Sequence, residues 1–245
     1  MMEVIVFILE GKKAEPKIVK SLEKCFFKNG KTILKLIFGT SIYTLYKRLK
    51  EDEYLDILEI LRKMSKENEK ILSGIKRRNV SSVFLFFDQD THCTNSDEEK
   101  LEYLLEFFNN ENENGKLYIS YPMVEALKDI ENFNWDTRKN KEYKSYISKS
   151  LIKYDLVNLS FSQNYNIEVW NLINVYSWCK ANLLLNQNIN CPLYSELIEF
   201  KQKTIFDKQS QNSPEIISLS AFPFFIANYF KKEIIEKILE NNKIT

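Results

Sequence analysis

The sequence predicts an α/β fold: a mainly parallel sheet flanked by helices, with a helical insertion and a helical C-terminal region. Short runs rich in β-branched and aromatic residues alternate with segments whose apolar residues recur at helical spacing. The 245 residues are 44% hydrophobic, so the chain can bury a sizeable core. Strands that alternate with helices imply right-handed crossovers and a ligand site outside the carboxyl ends of the strands.

Four segments are predicted to be strands. The first, residues 3–9, ends at Glu10 and Gly11, and the third, residues 81–87, runs directly into the sequence AspGlnAsp. Both are short and mainly apolar, which is typical of strands buried on both faces of a sheet. The two remaining predicted strands are residues 32–38 and 116–121.

Helices are predicted between these strands and throughout the second half of the chain. Residues 41–78 form a helical insertion, interpreted as two helices, and residues 97–108 form a further helix. Beyond residue 134 the strand pattern fades, so residues 1–132 are assigned to an α/β domain and residues 133–245 to a helical region. The helices predicted in that region are residues 143–154, 167–185, 193–206 and 224–239.

Composition limits the classes of partner. Thirty-five Lys and Arg balance 34 Asp and Glu, so the net charge of +1 gives no bulk argument for a polyanionic partner. No stretch reaches the roughly 18 apolar residues that a membrane span needs. The four cysteines are scattered without a CxxC pair, which is typical of thiols in a reducing cytoplasm. We therefore expect a cytoplasmic protein without membrane contact, and the abundance of Asn, Lys and Ile indicates an AT-rich bacterial genome.

Three acidic residues fall where two of the predicted strands end. Glu10 follows the first strand, and Asp88 and Asp90 follow the third. Alternation along an extended chain places Asp88 and Asp90 on the same side, where both carboxylates can face one hard cation. Clustered carboxylates repel one another unless a cation neutralises them or one of them takes up a proton. The pattern therefore predicts a Mg²⁺ site, with Mn²⁺ as the alternative ion.

The same edge of the predicted sheet carries groups suited to phosphate. A bound Mg²⁺ polarises a phosphoryl oxygen and lowers the pKa of a bound water, so the arrangement suits phosphodiester chemistry. Gly11 would let the backbone turn close to a phosphate, while Lys12 and Lys13 could offset its charge. His92, two residues after Asp90, could position water or contact phosphate, although a surface-loop histidine is the favoured interpretation.

These residues resemble the signature of a known fold family. GluGlyLysLysAlaGluPro at 10–16 and PhePheAspGlnAsp at 86–90 are similar to the Glu and Asp-x-Asp motifs of the Toprim fold, which serves topoisomerases, bacterial primases and overcoming-lysogenisation-defect nucleases. The closer similarity is to compact bacterial anti-phage Toprim proteins, which also carry a Pro-x-x-Glu motif, matched here by TyrProMetValGluAla at 121–126. The resemblance covers about residues 1–132, which would form a Toprim-like catalytic domain.

The resemblance implies roles for individual residues. Glu10 would be the Toprim glutamate, acting as metal ligand or general acid/base, and Asp88 and Asp90 would be the metal pair. Glu15 and Glu125 would be supplementary ligands. The insertion between the second and third strands is longer than in a minimal Toprim core, and no catalytic-tyrosine context of a topoisomerase is visible. Topoisomerase and primase activity are therefore disfavoured.

Other features have simpler explanations. GlyLysThr at 30–32 lacks the upstream Gly of a phosphate-binding loop and leads into a strand, and LysArgArg at 76–78 is interpreted as a solvated loop rather than a nucleic-acid contact. The aromatic run at 221–226 is interpreted as core, with partner docking as the alternative. An acid at a strand end, or one in a first helical turn such as Glu15, is also favoured by capping or by the helix dipole.

The leading hypothesis is a Mg²⁺-dependent endonuclease that cleaves DNA or RNA, with tRNA among the candidate substrates. By resemblance, it would be the effector of an anti-phage defence system controlled by a partner ATPase, and a homodimer is left open. The near-neutral charge and the aromatic C-terminal region motivate a second hypothesis, a catalytically silent Toprim-scaffold subunit that interacts with or regulates a partner. A third, weaker one is a phosphotransfer or nucleotide-processing enzyme that uses the same carboxylates.

Overall fold

The computed structural model divides the chain into two compact units, Met1–Tyr118 and Ile119–Thr245, with the boundary inside the fifth strand. The α/β class, the mainly parallel sheet with flanking helices and the helical C-terminal region are confirmed. None of the described helices is both long and apolar enough to cross a membrane. The structure describes residues 3–27, 32–38, 41–51, 56–89, 97–129, 146–148, 165–188, 190–211 and 215–241.

The first unit contains a five-stranded sheet with the strand order β2-β1-β3-β5-β4. Strands β1, β2 and β3 are parallel, and β4 and β5 form an antiparallel pair. Its elements in chain order are β1 (Glu3–Leu9), α1 (Ala14–Phe26), β2 (Thr32–Phe38), α2 (Ile42–Glu51), α3 (Ile57–Met64), α4 (Lys66–Ile71), a 3-10 turn (Arg77–Asn79), β3 (Ser82–Asp88), α5 (Glu98–Phe107), β4 (Asn109–Asn110) and β5 (Gly115–Ser120).

The strands form where the sequence is continuously apolar, because side chains on both faces of the sheet are buried. In β1 every residue from Ile5 to Leu9 has no exposed surface. On one face of the sheet Phe7 meets Phe84 edge to face, with ring centroids 5.8 Å apart, and Phe86 stacks on Tyr118 at 5.7 Å. These rings extend from β1 across β3 to β5 and form the core of the first unit.

Two helices of the insertion begin at polar side chains that accept hydrogen bonds from backbone N–H groups. Asp56 caps α3 by accepting from Leu58 N at 2.8 Å, and Ser65 caps α4 by accepting from Asn68 N at 3.1 Å. Ser65 separates α3 from α4. The described residues of the insertion therefore form three helices, α2, α3 and α4, where two were predicted.

The second unit is mainly helical but also contains a small antiparallel pair of strands, β6 and β7. Residues 143–154 were predicted to be helical, and that prediction is wrong at Tyr146–Ser148, which forms β6. Its elements are a 3-10 turn (Val124–Lys128), β6 (Tyr146–Ser148), α6 (Ile167–Asn186), α7 (Tyr194–Leu197), α8 (Gln202–Gln211), β7 (Glu215–Ile217), α9 (Ala221–Tyr229) and α10 (Lys232–Asn241).

Helix α6 is buried on most of its surface and carries the centre of the second unit. Trp178 is fully buried and its indole Nε1 donates to the carbonyl of Pro223 at 3.0 Å. Lys180 forms an ion pair with Asp129 at 2.8 Å, and the two side chains are 3% and 2% exposed. The aromatic run at 221–226 lies in α9 and is buried, which confirms its interpretation as core.

Strand β7 is held by a side chain as well as by a strand. The amide of Gln209 in α8 donates from Nε2 to the carbonyl of Ile217 at 2.7 Å and accepts from the N–H of Ile217 at 2.9 Å. One glutamine side chain thus binds both backbone groups of a strand residue, as a neighbouring strand would.

Candidate functional site at the carboxyl edge of the sheet

The strand order places a topological switch point between β1 and β3. From β1 the chain moves to β2 on one side, and from β2 it returns past β1 to β3 on the other side. In open α/β sheets the connections diverge at such a point and leave a crevice at the carboxyl ends of the two strands, where ligands bind. Leu9 is level with Phe86, so Glu10 and Asp88 both leave their strands at this crevice.

The structure brings Glu10 and Asp88 together. The Glu10 carboxylate oxygen Oε2 accepts a hydrogen bond from the backbone N–H of Asp88 at 3.0 Å. Both residues are half-buried, so their carboxylates border solvent rather than the apolar core. Because the bond ties the end of β1 to the end of β3, it fixes the Glu10 side chain at the height of Asp88.

Glu15 lies beside the same turn and is 6% exposed. Its Oε1 accepts from the N–H of Gly11 at 2.7 Å. A Cβ added to Gly11 would lie 2.5 Å from Glu15 Oε2, so any other residue here would displace the carboxylate. The approach of a phosphate to Gly11 stays a prediction, and the contact with Glu15 is an intramolecular reason for the glycine.

The two lysines after Gly11 are exposed. Lys12 forms an ion pair with Glu67 of α4, with side chains 61% and 49% exposed. Exposed pairs of this kind contribute little stability, about 0–1 kcal/mol, so an incoming phosphate can replace Glu67 at little cost. Lys13 immediately precedes α1.

The catalytic, metal-binding and phosphate-contact roles of all the predicted site residues remain predictions, and for three of these residues the structure gives no position at the crevice. Asp90 and His92 lie outside the described residues. Glu125 lies in the 3-10 turn of the second unit, Val124–Lys128, and is half-buried. Its role as a supplementary ligand is carried by the resemblance alone.

The donor set at the crevice fits a hard divalent cation. Glu10 and Asp88 supply carboxylate oxygens, and Mg²⁺ in proteins is usually held by one or two carboxylates, several waters and the phosphates of a substrate. In the part of the chain that the structure describes, no three His, Cys, Asp or Glu side chains gather at metal-binding distance. Asp90 falls outside that part. Of the predicted ligand set, Glu10 and Asp88 lie at the crevice and Glu15 lies beside the adjoining turn.

Gln89 lies between the two predicted metal aspartates, and the sequence predicts no role for it. It is 3% exposed, and its buried Oε1 accepts no hydrogen bond from the residues that the structure describes. A buried polar residue directly after an apolar strand is an unusual combination, and that combination is the signal that marks it.

The basic run at 76–78 is structural at its centre. The Arg77 guanidinium donates to the carbonyls of Asn112 and Glu113 at 2.7 and 2.6 Å and lies 3.5 Å from a carboxylate oxygen of Asp56. Arg77 thereby joins the insertion to the turn between β4 and β5, and this use explains one of the three basic residues.

No protein-family model matches the chain, and neither a curated protein nor a solved structure matches it.

Proposed function

We propose that this chain is a Mg²⁺-dependent nuclease whose active centre lies at the carboxyl edge of β1 and β3. The observation that carries the proposal is the contact between the Glu10 carboxylate and the backbone of Asp88 at the switch point of the sheet. Acidic side chains at such a crevice are suited to a divalent cation and to the phosphates of its ligand. The Toprim-like motifs, GluGlyLysLysAlaGluPro and AspGlnAsp, support phosphodiester hydrolysis as the reaction.

When bound, the cation would polarise a phosphoryl oxygen and lower the pKa of an attacking water. The residues of the chain orient the other participants. The Asp88 N–H holds the Glu10 carboxylate in place, where it serves as metal ligand or as general acid/base. Lys12 and Lys13 are exposed on the adjoining loop and bind the flanking phosphates once Lys12 exchanges Glu67 for substrate.

The substrate is DNA or RNA, with tRNA among the candidates. Anti-phage defence and control by a partner ATPase are proposed from the resemblance of the motifs to compact Toprim proteins. The near-neutral chain is compatible with this substrate because the phosphate contacts would come from the local lysines of the site loop.

The test is metal-dependent cleavage of DNA and RNA by the purified chain, alongside Mn²⁺ binding followed by electron paramagnetic resonance. Glu10→Gln and Asp88→Asn are expected to reduce cleavage by about 10²-fold or more, because each removes an anionic oxygen from the site. Glu240→Gln, an exposed acid of the second unit, is the matched control and should leave both measurements unchanged. Equal Mn²⁺ binding and equal cleavage in all variants would refute the proposal.

One observation favours the second function, a silent interaction or regulatory subunit. The carboxylates of Glu10 and Glu15 each accept a hydrogen bond from a backbone N–H. Such hydrogen bonds can stabilise the folded chain without a metal. A wild-type chain that binds no Mn²⁺, while forming a stable complex with a partner protein, would support this function over catalysis.

A further inference from the structure

Gln89 is a buried amide that the proposed mechanism does not use. Its side chain is 3% exposed, and Oε1 accepts no hydrogen bond from any described residue. Leaving a buried acceptor unsatisfied costs about 1–3 kcal/mol. A group that carries this cost in a native protein calls for a physical explanation, such as a water or an ion that it binds.

The position of Gln89 points to the crevice between β1 and β3. It directly follows Asp88, whose N–H donates to Glu10. The register of the two strands ends with the pair Leu9 and Phe86, and β1 itself ends at Leu9, directly before Glu10. Gln89 leaves the end of β3 at this same edge of the sheet.

Two carboxylates and one amide therefore follow each other closely at this edge. The Glu10 carboxylate is bonded to the backbone N–H of Asp88, and Gln89 is the next residue of the chain. A third carboxylate at residue 89 would increase the repulsion among acids, whereas an amide oxygen is an acceptor without a net charge. A neutral acceptor is suited to the waters of a hydrated cation, because Mg²⁺ keeps several of them.

We propose that Gln89 is a positioning residue of the cation site, whose Oε1 accepts a hydrogen bond from a water bound to the divalent cation. The inference rests on the proposed function and adds a residue that the motif leaves unassigned. Some residues do not bind a metal themselves but hydrogen-bond to its ligands. Removing such a residue typically lowers the affinity for the metal by about 10–100-fold. Gln89→Leu keeps the size of the side chain and removes the acceptor.

The experiment compares Gln89→Leu with the wild-type chain of 245 residues in two measurements: the Kd for Mn²⁺ and the Tm without metal. The variant is expected to bind Mn²⁺ about tenfold more weakly. Its Tm without metal should be equal or higher, because an unsatisfied buried amide is gone. Gln89→Glu keeps an oxygen acceptor and should bind Mn²⁺ at least as tightly as wild type.

Asn174→Leu is the matched control. Asn174 in α6 is fully buried, and neither its Oδ1 nor its Nδ2 has a hydrogen-bond partner among the described residues. Because it belongs to the second unit, its replacement should affect Tm without changing the Kd for Mn²⁺. Should Gln89→Leu fold poorly, Gln89→Met provides the same removal of the acceptor with a more adaptable side chain.

Two outcomes overturn the inference about Gln89 while the proposed function stands. In the first, Asp88→Asn loses Mn²⁺ binding, but Gln89→Leu binds like wild type. In the second, Gln89→Glu loses as much affinity as Gln89→Leu, which would identify the amide nitrogen as the group in use. If wild type and Asp88→Asn bind Mn²⁺ equally, or neither binds it, the proposed function fails and the inference fails with it.

Discussion

The acids at the sheet edge of the first unit and the buried acid of the second unit lie in different surroundings. In the first unit, β1 from Ile5 to Leu9 and β3 from Val83 to Phe87 are apolar and buried, and the acids Glu10 and Asp88 follow or end these strands, half-buried at the carboxyl edge. In the second unit, charges lie in the interior: Lys180 and Asp129 pair where almost no solvent reaches. The polar side chains of Asn174 and Asn182 are buried on the same helix as Lys180.

The difference teaches that an acidic residue acquires its role from its surroundings. Asp129 has an ammonium group 2.8 Å away, so its charge is balanced within the protein. The carboxylate of Glu10 is half-buried at the edge of the sheet, where it accepts a hydrogen bond from the backbone N–H of Asp88. The experiments below test this contrast.

The largest effect is expected from Lys180→Met. The substitution removes the ammonium that balances the buried Asp129 carboxylate, and it should lower the free energy of unfolding by about 3–5 kcal/mol. The measurement is urea unfolding followed by circular dichroism. Lys232→Met is the control, since Lys232 pairs with Glu236 at the surface and should contribute about 0–1 kcal/mol. A loss at Lys180 no greater than at Lys232 would remove the contrast between the units.

The next effect is the response to a divalent cation. At about 100 times its Kd, Mn²⁺ should stabilise the first unit by about 2.7 kcal/mol, because it binds the folded edge of the sheet and not the unfolded chain. Amide hydrogen exchange should show added protection in β1 and β3, and Asp88→Asn should abolish it. Equal added protection in α6 of the second unit would contradict a cation site confined to the edge.

Gly11→Ala should have a smaller effect. The new methyl group would lie 2.5 Å from Glu15 Oε2, so the carboxylate must move and its bond to the Gly11 N–H is strained. We expect a loss of about 1 kcal/mol, at the lower end of overpacking costs, because the end of a glutamate side chain can shift. In a double-mutant cycle with Glu15→Ala the two losses should not add. Additive losses would mean that the contact with Glu15 is not the reason why residue 11 is a glycine.

The smallest effect concerns the buried tyrosines. Burial, reinforced by the charge of Asp207, raises the pKa of Tyr121 well above its usual range. The unfolded chain therefore releases this proton first, near pH 10, and stability should fall as the pH rises beyond that value, by at most about 1.4 kcal/mol per pH unit. Tyr121→Phe should flatten this decline and leave stability at pH 7 equal or higher, because the buried Tyr121 hydroxyl has no hydrogen-bond partner among the described residues.

Unfolding measured between pH 8 and pH 11 tests this expectation. Tyr118→Phe is the counterpart in the first unit, where burial and the charge of Glu111 also raise the pKa of Tyr118. A decline above pH 10 that neither substitution alters would assign the alkaline loss of stability to other groups.

The strands were predictable because burial on both faces leaves a strong sequence pattern. β1 and β2 have the predicted bounds, and β3 differs by one residue. The placement of Glu10 and Asp88 at one edge of the sheet was predictable from where β1 and β3 end, since the carboxyl ends of parallel strands lie at the same edge. The order of the strands in the sheet makes β1 and β3 neighbours. This order depends on tertiary packing, so it could not be predicted from local sequence patterns.

The second unit was less predictable for a related reason. β6 is three residues long and pairs with β7 almost 70 residues later, so its local sequence carries little of the information that makes it a strand. Residues 193–206 were expected to form one helix, yet α7 ends at Leu197 and α8 begins at Gln202 with neither Gly nor Pro between them. Tertiary contacts override helix propensity at such breaks.

The glutamine that binds Ile217 has a consequence for the interior of the second unit. A two-stranded ribbon has backbone groups along its margins that no strand pairs, and inside a protein such groups need another partner. At Ile217, Gln209 engages both the N–H and the carbonyl. Ile217 has no exposed surface and Gln209 is 1% exposed, so water has no access to these groups, and an apolar side chain at residue 209 would leave both of them unsatisfied.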